Sequence, residues 1–294
     1  MQSVTGNSAV SANAAASIPA LTVTGVPGVY QLSLAARWNG NDLAWKQSSL
    51  TSAASAIDFN LTHAAPAAIE IVTLAGSAKS AIAAQTQPVL RLVDRFGNTA
   101  TSVSSGSISV SVSNTTTGSS VIAGASANLS SGVASFSGLA IKGLAKNYVL
   151  VYSYTSGSDT FTRTQLLTLQ AGNPHSIDVT TSPTTSQAGE VLSSQPIVKI
   201  YDVDGNYVDW AGTEVSVTAS VTNGVAGTLE LIKSDYSSAS SADVTRTALG
   251  GQVAFDGLRM KGQVGVDYTL SFAATFNDGV STTALIGDSS SSFS

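Results

Sequence analysis

The chain has no cysteine and few charged side chains among its 294 residues. Without cysteine, a disulfide framework and thiol chemistry are both excluded. Charged residues make up 11% of the chain, against about 25% in an average soluble protein. The 13 lysines and arginines are scattered, so no basic stripe predicts a nucleic-acid partner. No run of 18 or more apolar residues occurs, so we expect no transmembrane helix.

Small and β-branched residues dominate instead, namely Ser, Thr, Ala, Gly and Val. Hydrophobic residues reach 43% and the net charge is only −5, which is not the composition of a disordered chain. Thr and Val fit the half-buried surface of a sheet, so the composition predicts an all-β protein. Residues 1–6 carry neither a basic nor an apolar region, so we expect no secretory signal there.

The chain contains an internal repeat. Residues 88–98 and 196–206 match at an offset of 108, through Pro88 and Pro196, Asp94 and Asp202, Gly97 and Gly205, and Asn98 and Asn206. A second block, 132–143 against 251–262, matches at an offset of 119. The difference predicts an insertion of about 11 residues near 232–249, which we expect to be a surface loop.

The start of the chain repeats the end of the same unit. Residues 21–25 align with 139–143 and 258–262, and a tyrosine follows each block: Tyr30, Tyr148 and Tyr268. We therefore predict the C-terminal part of one unit in residues 1–64 and complete units in 65–172 and 173–294. Residues 62–66 and 171–174 are expected to be short linkers, each stiffened by a proline.

Alternating patterns within the units predict antiparallel strands with one dry face. Ile108, Val110 and Val112 alternate with serines, and Val215, Val217, Ala219 and Val221 alternate in the next unit. About seven strands per unit predict tandem immunoglobulin-like β-sandwich domains in an elongated array. The repeated tyrosine is typical of a tyrosine corner, and Asp-x-x-Gly-Asn after a strand predicts a capped tight turn.

An apolar strand ending in Asp-x-x-Gly-Asn, then Gly-x-x-x-Phe-x-Gly-Leu, then Gly and Tyr-x-Leu, resembles the bacterial Ig-like repeats of invasin- and intimin-type adhesins. The chain is also similar to filamin-type Ig repeats. The resemblance covers most of residues 65–294 and, more weakly, 15–64. It implies rod-like stalks on cell surfaces, often ending in an adhesive tip.

Few residues point to chemistry. Asp202, Asp204 and Asp209 lie close together in sequence and raise the possibility of calcium, with Asp178 as a further carboxylate. The spacing departs from that of an EF-hand loop, since position 207 is Tyr. The capped turn is the favoured interpretation, and no other cofactor or metal is expected. His63 and His175 lie at the junctions between units, without cysteine or a second histidine nearby, so we expect them to be solvated.

Trp38 and Trp45 flank the turn 39–42 and have no equivalents in the other units. They could form an aromatic platform for a sugar or a protein partner, although cross-strand packing is favoured. Trp210 follows a strand and is expected to pack under a loop.

No Gly-x-Ser-x-Gly elbow with suitable partners and no phosphate-binding loop occurs, so the sequence predicts no enzyme and no catalytic residue.

The sequence therefore predicts a non-enzymatic stalk segment of a large repetitive protein at the cell surface or outside the cell. Its expected partners are neighbouring repeats of the same or another chain, and a cell-surface glycan or protein is a further candidate. Two alternatives stay open: an adhesin or carbohydrate-binding module, and an accessory Ig-like region of a secreted multidomain enzyme.

Overall fold

The computed structural model describes residues 3–5, 21–33, 37–38, 41–42, 56–113, 119–184, 186–222 and 230–294. These residues form strands, turns and one 3-10 helix, Ser241–Val244, with no α-helix among them. The predicted all-β class is confirmed. We call residues 1–64, 65–172 and 173–294 the N-terminal, middle and C-terminal segments. These boundaries remain predictions.

The described part of the N-terminal segment consists of paired strands. β1 pairs with β2, β3 with β6 and β4 with β5, all antiparallel. Their bounds are Ser3–Thr5 for β1, Thr22–Thr24 for β2, Gly28–Ser33 for β3, Arg37–Trp38 for β4, Asn41–Asp42 for β5 and Ala56–Leu61 for β6.

The middle segment contains eleven strands. They are β7 (Pro66–Thr73), β8 (Ala78–Lys79), β9 (Ile82–Ala83), β10 (Val89–Asp94), β11 (Ser107–Val112), β12 (Ser120–Ala123), β13 (Ser126–Ser130), β14 (Val133–Ser135), β15 (Ala140–Lys142), β16 (Asn147–Ser156) and β17 (Asp159–Gln170). The main order is β7-β10-β14-β13-β11-β16-β17-β8, and β12-β15-β9 forms a smaller sheet. β8 runs parallel to β17, while the other strand pairs are antiparallel.

The C-terminal segment contains ten strands among its described residues. They are β18 (Ser176–Thr181), β19 (Ile197–Tyr201), β20 (Val215–Val221), β21 (Glu230–Ile232), β22 (Thr245–Thr247), β23 (Gln252–Ala254), β24 (Arg259–Lys261), β25 (Leu270–Asn277), β26 (Thr282–Ala284) and β27 (Asp288–Ser289). Three sheets result: β18-β19-β23, β22-β20-β25-β26 with β27 beside β25, and β21-β24.

The buried side chains form two clusters. One draws on residues between Ile69 and Leu169, and the other on residues between Ala171 and Phe293. Alternation decides which side chains enter, because successive side chains of a strand point to opposite faces. In β11 the apolar positions are buried and the serines exposed, as the pattern predicts. In β20 the apolar positions are again buried apart from Val221, which is half-buried, while Ser216 and Thr218 are half-buried and Ser220 is exposed.

The predicted tyrosine corners are present in all three segments. The hydroxyl of Tyr30 donates to the carbonyl of Val26 at 2.6 Å, and that of Tyr148 donates to Leu144 at 2.9 Å. The Tyr268 hydroxyl donates to the carbonyl of Gln263 at 2.8 Å and accepts from the Gln263 amide at 2.6 Å. Each corner therefore fixes the loop that precedes its strand.

The prediction that the insertion near 232–249 is a surface loop is partly wrong. The 3-10 helix and β22 lie inside it, and β22 pairs with β20. Ile232, Val244 and Ala248 are buried. The apolar residues in this Ser-rich stretch give it a core-facing side, so it extends a sheet rather than only crossing the surface.

No helix among the described residues has the length and apolar character needed to cross a membrane.

Replacing Tyr268 by Phe tests the corner. The change leaves the amide and carbonyl of Gln263 without their shared partner, so we expect a loss of about 1–3 kcal/mol in the free energy of unfolding of the C-terminal segment. Urea denaturation measures it. Tyr236→Phe, at a side chain 60% exposed, is the matched control and should change little. Equal stability of the two variants would contradict this role.

Candidate functional site

The turn after β19 is built on one buried side chain, Asp202, which is 2% exposed. Its Oδ1 accepts hydrogen bonds from the backbone amides of Asp204 and Asn206, both at 2.9 Å. Gly205 adopts a φ of 80°, a left-handed conformation that glycine reaches without a steric penalty. These contacts form the capped tight turn that the motif predicts.

The other carboxylate oxygen of Asp202 reaches out of the turn. Oδ2 accepts from the backbone amide of Gly172 at 2.7 Å and from Nδ2 of Asn206 at 2.8 Å. Asn206 then spans the junction with its own amide: Nδ2 donates to the carbonyl of Gly143 at 2.9 Å, and Oδ1 accepts from the amide of Ala145 at 2.7 Å. The turn therefore binds the loop between β15 and β16 of the middle segment.

Asp204 adds a further contact with the middle segment. Its Oδ2 accepts from Oγ of Ser80 at 2.6 Å and from the amide of Gly143 at 3.3 Å. Oδ1 lies 3.9 Å from Nζ of Lys142. Ser80 is only 1% exposed, so its hydroxyl needs the partners that it finds here, because an unsatisfied buried polar group is costly.

Trp210 also lies at this junction, where the sequence predicted packing under a loop. Nζ of Lys79 lies 3.7 Å from the centre of its ring, and Nε1 donates to the carbonyl of Ala171 at 3.3 Å. Phe276 meets the ring edge to face, with centroids 6.4 Å apart. The indole thus connects the C-terminal core to a cation of the middle segment, an attraction worth roughly 0.5–2 kcal/mol.

The same turn recurs between the N-terminal and middle segments. Oδ1 of Asp94 accepts from the amides of Phe96 and Asn98 at 2.8 and 2.9 Å. Oδ2 accepts from the amide of Ala64 at 2.9 Å, and Nδ2 of Asn98 donates to the carbonyl of Gly25 at 3.1 Å. Ala64 and Gly25 occupy the places that Gly172 and Gly143 take in the second junction, so the docking geometry is part of the repeat.

Among the described residues, the first junction has fewer polar contacts across it than the second, and particular residues explain the difference. Pro27 stands where Ala145 stands in the second junction, and proline has no N–H to donate to the asparagine. Phe96 replaces Asp204 and is 47% exposed. One contact is special to this junction: Nε2 of His63 accepts from the amide of Ser102 at 2.9 Å.

His63 is therefore not the solvated linker residue that the sequence predicts. Its Nδ1 lies 2.7 Å from the carbonyl oxygen of Ala64. Nδ1 must carry the proton to donate there, which leaves Nε2 free to accept from Ser102. The linker position brings the ring against the loop after β10. His175, which follows the second linker, is exposed as expected.

The hydrogen bonds around Asp94 set its acidity. Burial alone would raise the pKa of this carboxyl, but amide donors from Ala64, Asn98 and Phe96 favour the charged form and lower the pKa to about 2. The carboxylate therefore stays ionised at neutral pH and serves as a structural acceptor.

Two glycines let the middle segment pack closely on itself beside the second junction. A Cβ on Gly172 would meet the backbone oxygen of Ser80, and one on Gly143 would meet the hydroxyl of Tyr148. The tyrosine corner and the docked turn thus converge on the same loop. Side chains at these positions would clash within the middle segment itself.

The three aspartates of the calcium hypothesis do not converge. Asp202 and Asp204 bind amides, a hydroxyl and a lysine as described, and Asp209 is exposed beside the junction. Nowhere in the described ranges do three His, Cys, Asp or Glu side chains group as a metal site. Calcium binding stays an untested prediction. Trp45 and the side chain of Trp38 lie outside the described residues.

Sequence reasoning located the turns but missed what they bind. It also missed Gln87 and Gln195, which precede the repeated prolines. The side-chain oxygen of each accepts from the amide of a leucine, Leu139 or Leu258, at 2.8 and 3.0 Å. The offset of 108 between the two glutamines was a signal that could have identified them.

No protein-family model and no curated protein matches the chain. Among solved structures, a β-glycosidase from Bacteroides vulgatus is 11% identical, with 76% of this chain and 24% of that chain covered and a TM-score of 0.29. Fibronectin(III)-like modules of CbhA from Clostridium thermocellum are 12% identical, with 76% and 93% covered and a TM-score of 0.22.

A third solved structure is a SusE-like surface-located polysaccharide-binding protein from the heparin utilisation locus of Bacteroides thetaiotaomicron. It is 12% identical, with 76% of this chain and 34% of that chain covered and a TM-score of 0.24. The chain spans about a quarter of the length of the glycosidases that it matches. At these TM-scores the likenesses carry no inference about what this chain does.

Acid should loosen the first junction. The pKa of Asp94 lies below its ordinary value of 3.8, so the stability that it contributes is complete above about pH 4 and is lost as the pH falls towards 2. The contribution is on the order of 2 kcal/mol. Urea denaturation of the protein and of Asp94→Asn between pH 5 and pH 2.5 measures it. The two stabilities should converge as the pH falls, whereas a constant difference would contradict the assignment.

Proposed function

We propose that this chain is a non-enzymatic structural segment in which Ig-like units are held in a set relative orientation by their Asp-x-x-Gly-Asn turns. The observation that carries the proposal is the repeated contact: at both junctions the Asp and Asn side chains hydrogen-bond the preceding segment. A connection that only tethered the units would not need buried polar groups aimed across it.

The hydrogen bonds of the second junction support a structural role for Asp202 rather than a catalytic one. Oδ1 of Asp202 is engaged by two amides and Oδ2 by a third and by Asn206. A carboxylate so fully paired has no lone pair left for general-base work. In the described ranges, no buried side-chain nitrogen or oxygen lacks a hydrogen-bond partner.

Location and use follow from the same proposal. Units that each contact only their neighbours form a spacer whose reach grows with the number of units. An elongated stalk at a cell surface or outside the cell fits this physics, the resemblance to adhesin stalks and the low charge of the chain. An adhesive or sugar-binding role would rest on Trp38 and Trp45, and an accessory role in a secreted enzyme would rest on flanking sequence.

The absence of cysteine makes the proposal easy to test, because two introduced cysteines can be labelled without competition. Thr162→Cys in β17 and Thr283→Cys in β26 place spin labels on exposed positions of the middle and C-terminal segments. Pulsed electron spin resonance then gives the distribution of distances between the two labels.

We expect one narrow distribution in the parent chain and a broad one after Asp202→Ala with Asn206→Ala, because the second junction then loses its bridging acceptors. Asp256→Ala, which removes an exposed ion pair with Arg246, is the control and should leave the distribution narrow. Circular dichroism checks that the double variant keeps its strands. A broad distribution in the parent chain, or no broadening in the folded double variant, would overturn the proposal.

A further inference from the structure

A cavity of about 480 Å³ opens at the loop between β24 and β25 of the C-terminal segment. Gln187 and Ala188 lie on one side of it, residues 262–265 on another, and Tyr268 and Ser294 close it. No contact already described uses this surface, apart from the tyrosine corner that shapes its loop. We call Ala188 together with residues 262–265 the terminal face.

The repeat shows what the terminal face corresponds to. The offset of 108 relates Ala188 to Ser80, and the offset of 119 relates Gly262 to Gly143 and Val264 to Ala145. Ser80, Gly143 and Ala145 are the residues of the middle segment that bind the turn 202–206. The terminal face is therefore the counterpart of a surface that is occupied in the middle segment.

The backbone of the terminal face offers the same pair of groups. In the middle segment, the carbonyl of Gly143 and the amide of Ala145 grip one asparagine side chain. Tyr268 fixes the corresponding loop through Gln263, as Tyr148 does through Leu144, although the loop at Tyr268 is one residue longer. No hydrogen bond among the described residues engages the carbonyl of Gly262 or the amide of Val264.

Exposure separates the occupied surface from the open one. Ser80, under the docked turn, is 1% exposed, whereas its counterpart Ala188 is exposed. The side chain of Val264, in the loop that corresponds to the docked loop of the middle segment, is 96% exposed. The terminal face is thus both apolar and equipped with unpaired backbone groups.

We infer that the terminal face binds the Asp-x-x-Gly-Asn turn of a further Ig-like unit, placed after it as the C-terminal segment is placed after the middle one. The asparagine of that turn would donate to the carbonyl of Gly262 and accept from the amide of Val264. This inference rests on the proposed function, since it extends the docking seen at the two junctions to a third surface.

The side chains of the terminal face also select among turns. Ser80, which holds Asp204, is replaced by Ala188, and Lys79 is replaced by Gln187. A carboxylate at the third position of the incoming turn would lose its hydroxyl donor, so an apolar residue fits better. The turn 94–98, with Phe96 at that position, is of the preferred kind.

A second copy of this chain does not supply the partner. Both of its turns already bind the preceding segment, through Ala64 and Gly25 in one case and Gly172 and Gly143 in the other. The occupant is therefore a unit that follows the terminal face, as the C-terminal segment follows the middle one.

The test extends the full chain by one unit. Tyr268 pairs with Phe293 as Tyr148 pairs with Leu167, so Ser294 corresponds to Thr168. A copy of residues 169–173 followed by a copy of 66–172 therefore continues the chain in register and presents the turn 94–98 to the terminal face. Backbone amide exchange, resolved by nuclear magnetic resonance, reports on Val264, and Val280 in the β25–β26 hairpin is the control amide.

In the extended chain we expect the amide of Val264 to exchange at least about tenfold more slowly, with Val280 unchanged. Asn98→Ala in the appended copy should restore the faster rate, and Phe96→Ala should restore it in part. Unchanged exchange at Val264, or slowing that survives Asn98→Ala in a folded copy, would overturn the inference. So would concentration-dependent slowing in the unextended chain, because a second copy would then occupy the face.

Failure here is distinguishable from failure of the proposed function. The extension probes Val264, whereas the spin labels probe the second junction, which the extension leaves intact. A narrow label distance with unchanged Val264 exchange would reject the third docking surface alone.

Discussion

The two carboxylate oxygens of Asp202 accept hydrogen bonds from different segments of the chain, and much of the architecture follows from that division. One oxygen closes the turn after β19, and the other holds the amide of Gly172. A buried carboxylate must have its lone pairs satisfied to remain charged. The turn and the junction therefore depend on each other, since neither alone completes the set of donors. Asp94 repeats the arrangement at the first junction.

Residues around the carboxylate of Asp202 help to satisfy its hydrogen-bonding needs and to position the loop that it contacts. Glycine at position 172 avoids a clash with the backbone of Ser80, and glycine at position 143 leaves room for the hydroxyl of Tyr148. The tyrosine corner then holds the loop whose carbonyl and amide grip Asn206. The second junction adds Asp204 and Trp210, so we expect it to be the stiffer of the two.

The sequence predicts what is local. Period-two alternation predicted which residues of β11 are buried, and the repeated tyrosines predicted the three corners. Both features depend on residues near each other in the chain, since each tyrosine bonds a residue four or five positions before it. The turn itself was also predictable, since Asp202 caps amides two and four residues away. These elements define the fold class and mark where the candidate site lies.

The partners across the junction were not predictable in the same way. Ser80 and Asp204 are 124 residues apart, and Trp210 and Ala171 are 39 apart. No period or propensity links such positions, so the tryptophan was expected under a loop. The repeat held an unused clue: an Asp and an Asn are both kept at the offset of 108, which exceeds what a tight turn alone needs.

Amide hydrogen exchange at Gly172 and Ala145 tests the central claim most directly, because both amides donate to side chains of the following turn. Asn206→Ala removes the acceptor of the Ala145 amide. It also removes a donor to Asp202, whose side chain accepts from the Gly172 amide. We expect slow exchange at both amides in the parent chain. In the variant we expect faster exchange at Ala145, while the buried strands β16 and β25 stay protected. Fast exchange at both amides in the parent chain, with the strands protected, would contradict it.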